Sequence, residues 1–171
     1  DVIKHDVINI FKEFHSGSLR LDMLGYANVV LIPKKGGNVS AADFRPISLL
    51  NSSFKLITKV LANRLKAKMD NLIDVSQTAF IRGRFILDGA VLVQEVISHS
   101  DRHNVPCAIL KLDFAKAFDT VDWRFIMDLL SARGFPCKWL NWIHCILTSS
   151  RSNICVNGVA GKTIVSKRGL R

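Results

Sequence analysis

Three aspartates fall within ten residues of one short stretch, LKLDFAKAFDTVDW, Leu110 to Trp123. Asp113 directly follows an apolar run, and Asp119 and Asp122 come after it. A carboxylate at the C-terminal end of a buried strand is expensive to desolvate, so its presence needs a reason. One reason is structural: Asp113 caps the turn that follows, while Asp119 and Asp122 favour a helix N-terminus. The other is chemical: Asp113 faces a cleft and binds a hard cation such as Mg2+. For Asp119 and Asp122 the helix-start explanation leads. Phe118, taken alone, is an ordinary core aromatic. Ala115 and Ala117 are small enough for backbone to lie close to a ligand. His99 and His103 have i,i+4 spacing but no third ligand nearby, so a frayed helix end suits them better than a metal.

The charge around this acidic point is unevenly distributed. The chain has 171 residues, with 24 Lys+Arg against 14 Asp+Glu and a formal net charge of +10. Between Pro33 and Arg84 ten basic residues face only Asp43, Asp70 and Asp74, and the last eleven residues hold four basic residues and no acid. Such surface suits a polyanion backbone beside a metal-bound reaction centre, or simply a solvated basic face. PKKGG, Arg45 before Pro46, and Arg82-Gly83-Arg84 each read equally well as solvated loops, an ion pair or a turn. The hydrophobic content of 49% argues for a folded chain. No apolar run approaches the roughly 18–20 residues that span a bilayer, so no membrane partner is expected. Cys107, Cys137, Cys145 and Cys155 form no C-x-x-C pair. Reduced, buried thiols without a disulfide partner, in an intracellular setting, are expected.

The elements that must position these residues follow from periodicity. Residues 2–15 read as an amphipathic helix ended near Gly17. Val29 to Ile32 is a β-branched strand stopped by Pro33 and a basic turn at Gly36-Gly37. DFRPISLLN is extended. From Ser52, Phe54, Ile57, Leu61 and Leu65 make one helical stripe opposite Lys55, Lys59 and Lys66. Further helices are expected over about Leu87 to His99, from about Thr120 to before Gly134 with Asp119 or Thr120 as N-cap, and from Lys138 to about Thr148. CAILKLD alternates as a half-buried strand ending at Asp113. The tail reads as a hairpin turning at Asn157-Gly158. The class is α+β.

Six blocks carry a family resemblance: ANVVLIPKKGG, DFRPISLLNSSFKLITKVLANRLK, DVSQTAFIRGRFILDG, AILKLDFAKAFDTVDW, VNG and KRGLR. In this order and spacing the chain resembles the reverse transcriptase domain of non-LTR (LINE-type) retrotransposons, the plant versions most. The resemblance implies a right-hand polymerase fold: fingers and a lead-in helix in residues 1–105, the start of the palm with an adjoining finger hairpin in 106–171. It implies RNA-directed DNA polymerisation by two-metal phosphoryl transfer, using Mg2+ or Mn2+, deoxynucleoside triphosphates, an RNA template and a DNA primer. Asp113 matches the first catalytic, metal-binding aspartate, with the Phe114 carbonyl as an extra ligand. Phe118 matches the aromatic that crowds the sugar 2′ position, with Ala117 beside it at the nucleotide. Lys34 or Lys35, and Arg45, match residues that grip the triphosphate. Gln77, Arg82 and Arg84 fall where the family contacts template, and Asp119 is expected as a structural cap. A ribonucleoprotein in the nucleus, the cytoplasm or both follows from the same resemblance.

The chain departs from the family in one respect that matters. The family's second and third palm carboxylates form an adjacent pair, and no Asp-Asp dipeptide occurs here. The lack of an initiator Met and the stop at Arg171 suggest a piece cut from something longer. The 171 residues alone are therefore expected not to polymerise, and to have unpaired strand edges and low solubility. The competing reading is a catalytically dead, basic RNA-binding module from a degenerate or domesticated element. A group II intron maturase shares the metal aspartate, but FRPISLLNSSFKLITKVLANRL favours the LINE type.

Overall fold

The run YANVVLIP places apolar side chains at alternate positions, and it forms the strand on which the sheet is built. The computed structural model describes residues 2–34 and 40–170. In chain order the elements are α1 (Lys4–Ser16), α2 (Leu21–Leu24), β1 (Tyr26–Pro33), a 3₁₀ turn (Ala41–Asp43), β2 (Phe44–Leu50), α3 (Ser52–Lys66) and α4 (Met69–Leu72). They continue with α5 (Ile86–His103), α6 (Ala117–Thr120), α7 (Trp123–Ala132), α8 (Cys137–Thr148), β3 (Arg151–Val156) and β4 (Val159–Val165). The fold is mixed α+β, around a four-stranded sheet of order β2-β1-β3-β4. Contacts divide the chain into two compact units, Asp1–Lys59 with Lys116–Arg171, and Val60–Ala115.

In the first unit, Ala27 and Val29 of β1 are buried while Asn28 and Val30 are exposed, the period of two expected of a one-faced strand. β1 pairs antiparallel with β2, so that Ile32 lies opposite Arg45. On its other side β1 pairs in parallel with β3, with Val30 opposite Cys155. β3 and β4 form the expected hairpin, with Val156 opposite Val159. Asn157 and Gly158 have φ of 52° and 80°, the two positive values a tight I′ turn needs.

The helices follow their apolar stripes. α1 buries Phe14 and ends at Gly17. Asn51 Oδ1 accepts the Ser53 amide at 2.8 Å, satisfying one donor at the start of α3. Phe54, Ile57 and Leu61 are buried, and Lys55, Lys59 and Lys66 are exposed. Each buried side chain of that size contributes roughly 1.5–3 kcal/mol relative to exposure. α8 buries Trp139, whose ring meets Phe135 and Trp142 at centroid distances of 5.7 and 6.3 Å.

Three expectations are corrected. CAILKLD forms no strand: residues 105–114 have no regular structure and are exposed throughout. Alternation shapes a strand only when another strand supplies hydrogen-bond partners, and none of the four described strands pairs with it. The α7 cap is Asp122, whose Oδ1 accepts the Arg124 amide at 2.7 Å. Neither Asp119 nor Thr120 takes that place, because both lie in the separate turn α6. The thiols were expected to be buried, but Cys107, Cys137 and Cys145 are exposed and Cys155 half-buried. Cys107 sits in the irregular segment and the other two on outward positions of α8. His99 and His103 stack at 4.1 Å within α5, which continues to His103.

Candidate active site

The turn that carries Phe118 is built by backbone geometry at both of its ends. Lys116 sits at φ 52°, outside the right-handed region, and α6 begins immediately after it. The Thr120 hydroxyl donates to the Lys116 carbonyl at 3.1 Å. A distant segment then closes the turn: Leu170 N donates to Phe118 O at 2.7 Å and Gly169 N to Val121 O at 2.8 Å. Trp123 Nε1 returns a bond to Gly169 O at 2.7 Å. Gly169 lies at φ +85°, and a Cβ there would stand 2.6 Å from the Asp119 carbonyl oxygen. Only a glycine lets the two backbones come this close. Ala117 is the first residue of α6. The Phe118 ring is 66% exposed, so it is not the core aromatic its type alone suggests.

In the same unit, the loop end of the β1–β2 hairpin carries two cations. Arg45 is exposed opposite Ile32, and Lys34 follows Pro33, itself paired with Phe44. Lys34 N donates to Asp43 O at 2.8 Å, and its ammonium to Ala42 O at 2.7 Å. Among the described residues the ammonium has no other partner, so two of its three N–H donors are available to an anion. The turn begins with a capping box in which Ser40 accepts the Ala42 amide and Asp43 accepts the Ser40 amide. Lys35 and the Gly36-Gly37 turn lie outside the described residues.

The second unit contains Asp113, Phe114, Gln77, Arg82 and Arg84. Asp113 and Phe114 lie exposed in the irregular segment. Arg84 does structural work. Its guanidinium donates to the carbonyls of Ile73, Asp74 and Gln77, and lies 3.7 Å from the Asp70 carboxylate. With its side chain only 15% exposed, it ties residues 73–84 into one loop. Arg82 is exposed on that loop, and the Gln77 amide donates to Ala79 O at 3.2 Å. The Ser76 amide, bonded to Asp74 Oδ1 at 2.9 Å, and the Ser76 hydroxyl hold the Asp74 carboxyl below the usual carboxylate value. In the first unit Arg20 lowers Asp22 likewise, through a 2.9 Å ion pair.

Asp113 offers an exposed, hard oxygen donor, which fits a divalent cation. Among the described residues no group of three or more His, Cys, Asp or Glu could hold a metal, and Asp113 belongs to no such cluster. The closure of the Phe118 turn by Gly169 and Leu170 was invisible to sequence spacing, because Trp123 and Gly169 are 46 positions apart. Their only signal was that both lie in motif blocks.

Residues 32–171 match the family described as reverse transcriptase (RNA-dependent DNA polymerase). Over 172 aligned positions, all of this chain, it is 28% identical to 13% of the "Transposon TX1 uncharacterized 149 kDa protein" of Xenopus laevis. Over 145 positions, 85% of the chain, it is 31% identical to the "Retrovirus-related Pol polyprotein from type-1 retrotransposable element R2" of Nasonia vitripennis. Over a further 145-position match it is 30% identical to the corresponding polyprotein of the type-2 element R2DM of Drosophila melanogaster. The chain spans 14% of each of those two polyproteins.

Proposed function

The chain belongs to the reverse transcriptase (RNA-dependent DNA polymerase) family, and we propose that it supplies the triphosphate grip, the sugar check and the first metal carboxylate of a retrotransposon polymerase. The family match across residues 32–171 carries this reading. Enzymes of this family use divalent metal ions, an RNA template and nucleotide substrates. Residues 1–105 serve as fingers and 106–171 as the start of the palm, in a ribonucleoprotein of the nucleus or cytoplasm.

The Asp113 carboxylate and Phe114 carbonyl would hold Mg2+, or Mn2+ in its place, with further ligands from phosphates, water and other carboxylates. Such ions stabilise charge on the reacting phosphate oxygens. Arg45 and Lys34, joined by Lys35, neutralise the triphosphate and hold it in line for attack by the primer. Phe118, beside Ala117, presents its exposed ring to the sugar and excludes a 2′-hydroxyl. Gln77 and Arg82 contact the template, on a loop that Arg84 holds in shape. Localised positive charge on that loop and hairpin suits phosphate backbones.

The test is equilibrium binding of a deoxynucleoside triphosphate and of an RNA–DNA template–primer to residues 1–171 with Mg2+. The double substitution of Lys34→Ala with Arg45→Ala is expected to weaken triphosphate binding at least about tenfold, since each charged contact contributes roughly 1.5–3 kcal/mol. Template–primer binding should change far less. Unchanged triphosphate affinity in the double variant overturns the proposal. Templated primer extension by these 171 residues alone would show that Asp113 needs no further palm carboxylates.

A further inference from the structure

The first unit holds an open cavity of about 710 Å³, away from the Phe118 turn, between the end of α1, residues 17–22 and α8. Its lining combines three basic side chains, His15, Arg20 and Lys138, with one acid, Asp22. Arg20 already holds that acid in an ion pair at 2.9 Å. The other two bases hold each other: Lys138 Nζ lies 3.0 Å from His15 Nε2 and 3.3 Å from Nδ1. No carboxylate is within ion-pair distance of either among the described residues. The Lys138 ammonium has three N–H donors and no carboxylate partner among the described residues, so it can donate to an anion in the cavity. Lys138 is also the second residue of α8, where a cation opposes the helix dipole. Helix stability does not account for its position.

The wall beside these bases is aromatic. Lys138 Nζ lies 5.6 Å from the centroid of the half-buried Trp142 ring. That ring in turn lies 5.6 Å from both Phe14 and His15. The Trp142 ring thus packs against Phe14 and His15 while lining the cavity. Asn141, next to it, adds an amide that can both donate and accept. A flat ring, an ammonium without a carboxylate partner and an amide in a cavity of roughly 300–1,000 Å³ describe a subsite for one nucleotide unit.

We propose that this cavity binds a nucleotide of single-stranded RNA, its phosphate on Lys138 and His15 and its base against Trp142. The choice of RNA as occupant rests on the reverse transcriptase reading and on the chain's net charge of +10. The subsite anchors RNA through residues that take no part in the triphosphate grip or the metal site. It therefore adds a second, sequence-tolerant hold on the strand, because every base presents a π-face.

The experiment uses residues 1–171 and a fluorescein-labelled oligouridylate of about ten nucleotides, titrated by anisotropy at several salt concentrations. Lys138→Gln and Trp142→Phe, each checked for native circular dichroism, are compared with the Lys34/Arg45 double alanine variant. Lys138→Gln is expected to weaken binding about five- to tenfold and to flatten the log K against log salt slope by about one phosphate contact. Photocrosslinking with 4-thiouridine in the same oligomer should label the Trp142 peptide, and Lys138→Gln should reduce that label. Wild-type affinity, slope and crosslinks in both cavity variants overturn the subsite. If the wild-type chain binds the oligomer and both cavity variants bind it equally well, the subsite fails and the polymerase reading stands. If the wild-type chain binds no oligomer, the polymerase reading fails with it. Displacement of the crosslink by polyglutamate as efficiently as by unlabelled RNA also overturns the proposal, by assigning the cavity to an acidic polypeptide.

Discussion

Replacing Gly169 with alanine tests whether the Phe118 turn is held from a distance. A Cβ at this position would approach the Asp119 carbonyl oxygen to 2.6 Å and its carbonyl carbon to 3.0 Å. Both are backbone atoms, so no side-chain rotation relieves the clash. An L-residue at φ +85° adds about 1–2 kcal/mol of its own. The alternative is for the segment to lift away, losing the bonds from Leu170 N, Gly169 N and Trp123 Nε1. At about 0.5–1.5 kcal/mol net for each, that costs roughly 1.5–4.5 kcal/mol. The chain takes the cheaper route, so the expected loss is about 2–4 kcal/mol. Urea denaturation followed by tryptophan fluorescence should show it as a midpoint lowered by about 1–2 M, for a slope near 2 kcal/mol/M. Hydrogen exchange should show the Leu170 and Gly169 amides losing protection. Trp123→Phe removes one of the three bonds and should cost only about 1 kcal/mol. A midpoint within about 0.2 M of wild type, with both amides still protected, would refute the three-bond closure.

Asp122→Ala removes the α7 cap and should cost about 1 kcal/mol in the same assay, whereas Asp119→Ala leaves that cap intact. Equal losses from the two would contradict the assigned cap. Arg84→Ala strands the carbonyls of Ile73, Asp74 and Gln77 and should cost roughly 2–4 kcal/mol. Arg84→Lys should recover only part of this, because a single ammonium cannot reproduce the fork; full recovery in denaturation midpoints would argue against it. Asp74 has a folded pKa below its ordinary 3.8. Its contribution is therefore complete above 3.8 and lost as pH falls through the lower folded value. An NMR titration of the Asp74 carboxyl with a midpoint at or above 3.8 would contradict the Ser76 contact, and Ser76→Ala should raise the midpoint.

Local signals were legible wherever one stretch decided its own structure. The stripe Phe54, Ile57, Leu61 fixed the buried face of α3, and Asn157-Gly158 fixed the hairpin turn. CAILKLD shows where such signals stop. Its alternation is sound, yet Leu110 is 82% exposed, because a strand exists only through a partner that no local pattern supplies. Asp119 and Asp122 differ by three positions, and what separates them is the turn α6, set by positive φ at Lys116. At the candidate site, Lys34 and Arg45 were brought to one hairpin end by the β1–β2 register. The Arg84 loop ties, the Gly169 closure and the Lys138–His15 contact join residues up to 123 positions apart. Charge and spacing carry no record of such meetings.

The parallel pairing of β1 with β3 also sets the order in which this chain can mature during synthesis. Val30 finds Cys155 only after about 120 intervening residues have left the ribosome, roughly 6–25 s at ordinary elongation rates. Until then the β1 edge of the β1–β2 hairpin, later covered by β3, stays open, and Ala27 and Val29 await their full cover. A long-range closure of this kind slows folding and leaves a nascent edge available to other chains. Chaperone protection during that interval, rather than the stability of the finished sheet, would then set how much of the protein a cell recovers in folded form.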